Sequence, residues 1–257
     1  MKLGIAAPAE LQVVWPRDLL DAPPEVAARA FARALRAYTR RLDPEGAKRF
    51  AMHADTPLAD AIDETVLDAF GGIHPKHRLT DYHTFFVDRM APGERAIDLG
   101  CGIGMVALSI VQRSRASVTG VDWSDHNLAI ARTLAAERGA ADKLTLINGD
   151  ICETRAPGTF DAIILSNVLE HIADRPSRLR QWVAWYAPKR VLIRVPAFDR
   201  DWRVPLKKEL GIDWRCDPTH ETEYTRPQVE QEMRDAGLRI REVVTRWCEY
   251  WVHAEPE

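Results

Sequence analysis

The run Ala96-Ile97-Asp98-Leu99-Gly100-Cys101-Gly102-Ile103-Gly104 constrains this chain more than any other segment. Residues of strand character lead into glycines at alternate positions, and an apolar helical pattern opens at Met105. Glycine adopts left-handed backbone angles without a Cβ penalty, so such a run can turn tightly and let another group approach the backbone closely. A buried strand, a glycine turn and a helix in that order begin a βαβ unit, which requires a parallel sheet with helices on its faces. The downstream sequence keeps this rhythm. Short apolar runs at 95–99, 117–121, 144–147, 162–165 and 190–195 alternate with helical periodicity at 105–113, 125–138 and 175–186. A helix at 226–236 and two closing strands at 239–245 and 248–253 read as an antiparallel hairpin at the sheet edge.

The stretch 1–90 reads differently, as helices without strands. Helical runs are expected at 25–42, at 58–70 (stopped by Gly71-Gly72) and at 80–90. We therefore divide the chain into an N-terminal helical extension or lid, 1–90, and an α/β core, 91–257, carrying a long insertion at about 197–225. A net charge of −3 gives no basic field for nucleic acid. No run of about 18 apolar residues occurs, so no membrane span is expected. The N-terminal apolar run is too short for a secretory signal. Cys101, Cys152, Cys216 and Cys248 form no C-x-x-C pair, against both a disulfide framework and a thiolate zinc site. The expected compartment is the cytoplasm.

Two acidic positions accompany the glycine turn. Asp122 ends the next strand, where a carboxylate can accept both hydroxyls of a ribose, and Trp123 beside it can lie along an adenine. Gly149-Asp150-Ile151 follows the third strand, where Asp150 can accept from an adenine amino group. All three sites fall at carboxyl ends of expected parallel strands, where open α/β sheets bind ligands. A nicotinamide-binding dehydrogenase is the rival reading, but its fingerprint is G-x-G-x-x-G, whereas Gly100, Gly102 and Gly104 give G-x-G-x-G. The set D-L-G-C-G-I-G, V-D-W and G-D-I closely resembles motifs I, II and III of class I, Rossmann-like S-adenosylmethionine-dependent methyltransferases. That resemblance implies a seven-stranded, mostly parallel sheet flanked by helices, with its last strand antiparallel. It also implies S-adenosylmethionine as cofactor, with Asp98, Gly100, Cys101, Gly102 and Gly104 at the methionine part, Asp122 at the ribose, and Asp150 and Ile151 at the adenine.

The acceptor side is less specific. Ser166-Asn167-Val168-Leu169-Glu170-His171-Ile172 is similar to a segment of many small-molecule methyltransferases, which places Asn167 near the cofactor. Transfer to a hydroxyl benefits from a base, and histidine titrates near neutral pH. His171, His220 and His83 are the candidates, although each can equally be a residue that packs locally or caps a turn. His77, Arg78 and Tyr82, in the dense polar run before the core, and Tyr224, in the insertion, are candidate substrate contacts. The run around His77 resembles methyltransferases associated with bacterial surface-polysaccharide biosynthesis, which implies a carbohydrate or phosphorylated acceptor. No metal is expected, because Ser166-Asn167 stand where metal-dependent catechol-type enzymes carry carboxylates. The expected function is O-methylation of a small-molecule or carbohydrate hydroxyl. The alternatives are N- or C-methylation of a quinone- or amine-type metabolite, or a cofactor-binding partner subunit without turnover. The expected partner is a small-molecule or glycan acceptor and not nucleic acid; a homodimer stays open.

Overall fold

In the computed structural model, which describes residues 16–257, strands form where the apolar runs predict them. The chain begins with α1 (Arg17–Leu20), α2 (Pro24–Thr39), α3 (Pro44–Ala69), α4 (Lys76–Leu79) and α5 (Thr84–Val87). The α/β succession follows as β1 (Arg95–Leu99), α6 (Met105–Ser114), β2 (Ser117–Asp122), α7 (Asp125–Glu137), β3 (Leu144–Asn148) and β4 (Ala162–Ser166). It continues through α8 (Arg175–Tyr186), β5 (Arg190–Pro196), α9 (Arg203–Glu209), α10 (Arg226–Asp235), β6 (Leu238–Arg246) and β7 (Glu249–Pro256). The seven strands form one sheet in the order β3-β2-β1-β4-β5-β7-β6. β1 to β5 are parallel, and β7 inserts antiparallel between β5 and β6.

Helices cover both faces, so the central strands are apolar on both sides. On one face Ile97, Leu99, Ile163, Leu165 and Ile193 pack with Leu179 and Trp182 of α8 and Val229 and Met233 of α10. On the other, Ala96, Ala162, Ile164 and Leu192 pack with Leu108 and Ile110 of α6 and Phe85 and Phe86 of α5. By strand alternation Asp98, Ser166, Arg194 and Glu249 belong to this second face, at its end nearest the glycine turn.

The described residues separate into two compact units, one ending at Pro57 and one spanning Leu58–Glu257. Within the first, the Tyr38 and Phe50 rings meet at 4.5 Å and tie α2 to α3. Within the second, Tyr82, Phe85, Phe86, Val87 and Met90 belong to the sheet's apolar cluster.

Several local expectations are corrected. The helix expected from 58 starts at Pro44 and runs through Pro57, which gives up a single backbone hydrogen bond there. The helix expected over 80–90 shrinks to α5, with α4 placed before it, because Asp81 takes a left-handed conformation (φ +47°). That turn lets the adjacent Tyr82 and His83 both point inward, to Glu249 and Ser109. The strand expected from Cys248 begins at Glu249, since Trp247 and Cys248 form a left-handed hairpin turn. The insertion holds α9 and is closed at its base: the Phe198 N–H donates to Tyr224 O at 2.7 Å, and the Tyr224 N–H to Pro196 O at 2.9 Å.

Candidate active site

β1 delivers Gly100 in a left-handed conformation (φ +71°), where a Cβ would lie 2.7 Å from the Val168 side chain. Only glycine brings the turn this close to the loop after β4. The Gly100 and Cys101 N–H groups donate to Val121 O, and the Gly102 N–H donates to Asp122 Oδ2 at 2.8 Å. The Ser124 N–H donates to Asp122 Oδ1 at 2.9 Å, so one buried carboxylate fixes both the glycine turn and the start of α7. Gly104, at φ +77°, precedes α6. Cys101 is buried beneath the turn, and burial pushes its thiol well above the usual range.

Above this turn lies a cavity of about 530 Å³. Gly100, Asp122, Trp123, Asp150, Ile151, Asn167, His171 and Thr219 are among its lining residues. The Trp123 side chain is exposed, and Asp150 Oδ1 caps its own turn by accepting the Cys152 N–H at 2.8 Å. Asn167, at φ +57°, donates through Nδ2 to Glu249 Oε1 at 3.3 Å.

Beneath the turn lies a buried charged group. Asp98 is 1% exposed, its Oδ2 has no hydrogen-bond partner, and burial pushes its carboxyl up to about 7. Arg194 stacks over the Tyr82 ring at 3.9 Å, with Nε 3.8 Å from Glu249 Oε1. Arg194 Nη1, Glu249 Oε2 and Ser166 Oγ have no partner. Buried polar atoms left unsatisfied call for a polar ligand or water.

One corner of the cavity joins the turn after β4 to the insertion. The Glu221 and Thr222 N–H groups donate to the Glu170 carbonyl at 2.7 and 3.3 Å. His171 Nδ1 lies 2.9 Å from Thr219 Oγ1, and that hydroxyl donates to Asp217 Oδ1 at 2.7 Å. A hydroxyl has one proton, so His171 Nδ1 must donate and Nε2 keeps a lone pair. His220 is buried with its ring 4.7 Å from that of His171, and its Nδ1 lies 3.3 Å from Glu223 Oε1. Burial, with His220 nearby, lowers the His171 pKa. Glu170 is fully buried, neither carboxylate oxygen has a partner, and burial pushes it up to about 7.

The structure thus gathers the motif residues and two of the three histidines in one region. His83 lies elsewhere. With His77 and Arg78 it lines a second cavity of about 340 Å³, its ring nitrogens 2.7 Å from Ser109 Oγ and 2.9 Å from His77 Nδ1. Tyr82 and Tyr224 are interior residues: Tyr82 donates to Glu249 Oε1 at 2.5 Å and Tyr224 to Glu232 Oε2 at 3.0 Å. Glu170, Arg194 and Glu249 were not singled out from the sequence. Glu170 lay within a segment already noted, whereas nothing local marks the other two.

An aromatic beside a carboxylate at the end of β2, an open glycine turn and an orphaned Asp98 oxygen fit a nucleoside joined to a cationic amino acid. Comparison with known proteins agrees. Residues 73–243 match the family model described as methyltransferase domain. The ubiquinone biosynthesis O-methyltransferase of Pseudomonas paraeruginosa is 26% identical over 200 residues, covering 75% of this chain and 85% of that protein. The magnesium protoporphyrin IX methyltransferase of Synechocystis PCC 6803, crystallised with SAH, aligns with a TM-score of 0.56 at 19% identity, over 71% of this chain and 83% of that one. An O-methyltransferase family 2 protein from Planctomyces limnophilus, in complex with apigenin, aligns with a TM-score of 0.56 at 22% identity, over 68% of this chain and 57% of that one. The chain belongs to the methyltransferase-domain family and is a class I S-adenosylmethionine-dependent methyltransferase.

Proposed function

We propose that this enzyme methylates a hydroxyl oxygen of a small-molecule acceptor, and that the acceptor meets the cavity wall at His171. The observation that carries this reading is the His171–Thr219–Asp217 chain, which leaves a lone pair on Nε2 of an imidazole that lines the cavity. An amine acceptor that is neutral already offers its own lone pair, whereas a hydroxyl must lose a proton as it reacts. The relatives named as ubiquinone biosynthesis O-methyltransferases support oxygen as the acceptor atom and favour a phenolic hydroxyl over a saccharide one. Carbohydrate acceptors, which the run around His77 resembles a signature for, remain the second class to test; that run lines the other cavity.

In this reading Asp122 accepts the ribose hydroxyls, Trp123 covers the adenine, and Asp150 and Ile151 meet its edge. Asp98 and the turn Gly100 to Gly104 receive the methionine part, with an ionised Asp98 facing its ammonium. Asn167 stands beside the reacting centre. When bound, S-adenosylmethionine supplies an electrophilic methyl on a sulfonium. The acceptor oxygen would take that methyl as the sulfonium became a thioether, and His171 would ease the loss of the hydroxyl proton. The protein's part is to align the acceptor, exclude water and ease that proton's departure.

The test is transfer of labelled methyl from S-adenosylmethionine to phenolic, saccharide and amine acceptors by wild type and His171→Ala. We expect label in a phenol, with turnover reduced by about 10²–10⁴ in the variant and affinity for SAH little changed. Label confined to amines, or normal turnover in the variant, would overturn the reading.

A further inference from the structure

The corner behind His171 brings two imidazoles and a buried carboxylate together. Asp217 takes the Thr219 proton, so His171 donates from Nδ1 and offers Nε2. His220 lies against the Glu223 carboxylate, which can only accept when ionised, so Nδ1 donates there and Nε2 is again the lone pair. Glu170, fully buried, adds two carboxylate oxygens with no hydrogen-bond partner. One ligand atom from each of these residues lies within 4.8 Å of the others. Atoms bound to one small cation at about 2.1 Å lie roughly 3–4 Å apart, so modest side-chain adjustment closes the set.

We propose that Glu170, His171 and His220 bind a divalent first-row transition-metal ion at the edge of the methyl-transfer cavity. The donors are two imidazoles and one carboxylate, a set known in catalytic sites that keep a position open for substrate. The outer contacts also fit: each imidazole is oriented through its other nitrogen, His171 by Thr219 and His220 by Glu223, and such partners fix tautomer and ring direction. A rival set, Cys216 with His220 and Glu223, is also close in space. There, however, Glu223 is paired with Arg200 and accepts the Cys216 N–H, which leaves it a supporting role. Of the three ligands His171 lines the cavity, which sets the site at the cavity's edge. With the ion bound, the His171 lone pair is a ligand and not a base; an acceptor hydroxyl on the ion's open position is acidified by the ion and gives its proton to water. This last step rests on the proposed O-methylation; binding of the ion does not.

The test uses the full chain, stripped with chelator and titrated with Co²⁺, with d–d absorption and calorimetry as readouts. We expect one equivalent bound by wild type, and binding weakened by more than about 100-fold in Glu170→Gln and His220→Asn. Glu223→Gln should weaken binding by about 10–100-fold, and Cys216→Ser should leave it unchanged. SAH calorimetry on each variant verifies that it is folded. No binding by wild type, equal binding by a folded Glu170→Gln, or loss of binding in Cys216→Ser would overturn the site. With the site confirmed, phenol methylation unaffected by metal removal would overturn the activating role. Methylation of amines alone, with Co²⁺ still bound at Glu170, would instead count against the O-methylation reading and leave the metal site standing.

Discussion

The Asp122 carboxylate accepts N–H groups from Gly102 and Ser124, so it shapes the glycine turn before any ligand arrives. Each carboxylate oxygen still has capacity for a ribose hydroxyl, and a hydrogen bond to a charged group contributes about 1.5–3 kcal/mol. Losing even one such bond exceeds the ~1.4 kcal/mol that separates affinities by tenfold. Asp122→Ala is therefore expected to weaken SAH binding by more than about tenfold in calorimetry. Comparing SAH with its 2′-deoxyribose analogue separates the direct contact from damage to the turn: wild type should discriminate between them and the variant should not. Unchanged affinity in the variant would remove Asp122 from the ribose site. Residues such as Asp122 were legible because a strand end and a neighbouring glycine turn fix their place within a few positions. Arg194 and Glu249 were not, since their pairing depends on β7 inserting beside β5, a register that local sequence does not encode. Glu170 was hidden differently: in a short helical turn an acidic residue reads as solvated, and only the insertion packing over it buries it.

The connection through α4 and α5 carries a second consequence. His83 is 4% exposed and hydrogen-bonded to Ser109 and His77. Burial first, then His77 and Arg194, lower the His83 pKa to about 3; burial, with Lys76 and Arg194, lowers that of His77 to about 4. In the unfolded chain both return to about 6.5. Between that value and the folded ones, the unfolded state binds protons that the folded state does not, so stability falls as pH falls from near 6.5. The slope is about 1.4 kcal/mol per pH unit for each full proton, with His77 contributing less because it is part exposed. The buried Asp98 and Glu170 carboxyls, pushed up to about 7, act in the opposite sense over the same window, so the calorimetric readout is the difference between proteins: the Tm of His83→Asn relative to wild type should rise as pH falls from 7 to 5. An identical slope in that variant would show that His83 is not held neutral. The first six strands were readable to within a residue, because their apolar runs are short and bounded by turn residues, whereas β7 runs three residues past its expected end, to Pro256. The turn at Asp81 was not readable, because contacts from Tyr82 to a residue 167 positions away and from His83 to one 26 away outweigh the helical propensity of 80–90.

Both apolar clusters on the sheet draw their fully buried members from Tyr82 onward, and every residue lining the larger cavity lies from Gly100 onward. The division we propose between an extension and a core therefore has a physical test in where the chain can be shortened. A chain starting at Leu58 keeps the whole core and cuts α3 beside Pro57, where a backbone hydrogen bond is already missing. A chain starting at 91 loses Tyr82, Phe85, Phe86, Val87 and Met90 from one face. Burying a large apolar side chain contributes about 1.5–3 kcal/mol, so losing this set removes an amount comparable to the ~5–15 kcal/mol that holds a typical domain folded. It also leaves Trp251 without the Tyr82, Phe85 and Phe86 rings packed around it, and Arg194 without the Tyr82 ring beneath it. We expect the chain from Leu58 to melt cooperatively and bind SAH, and the chain from 91 to show no cooperative transition. If the chain from 91 folds and binds SAH, residues 58–90 are a lid on an independent core; if the chain from Leu58 fails, the first unit is part of what holds the enzyme together.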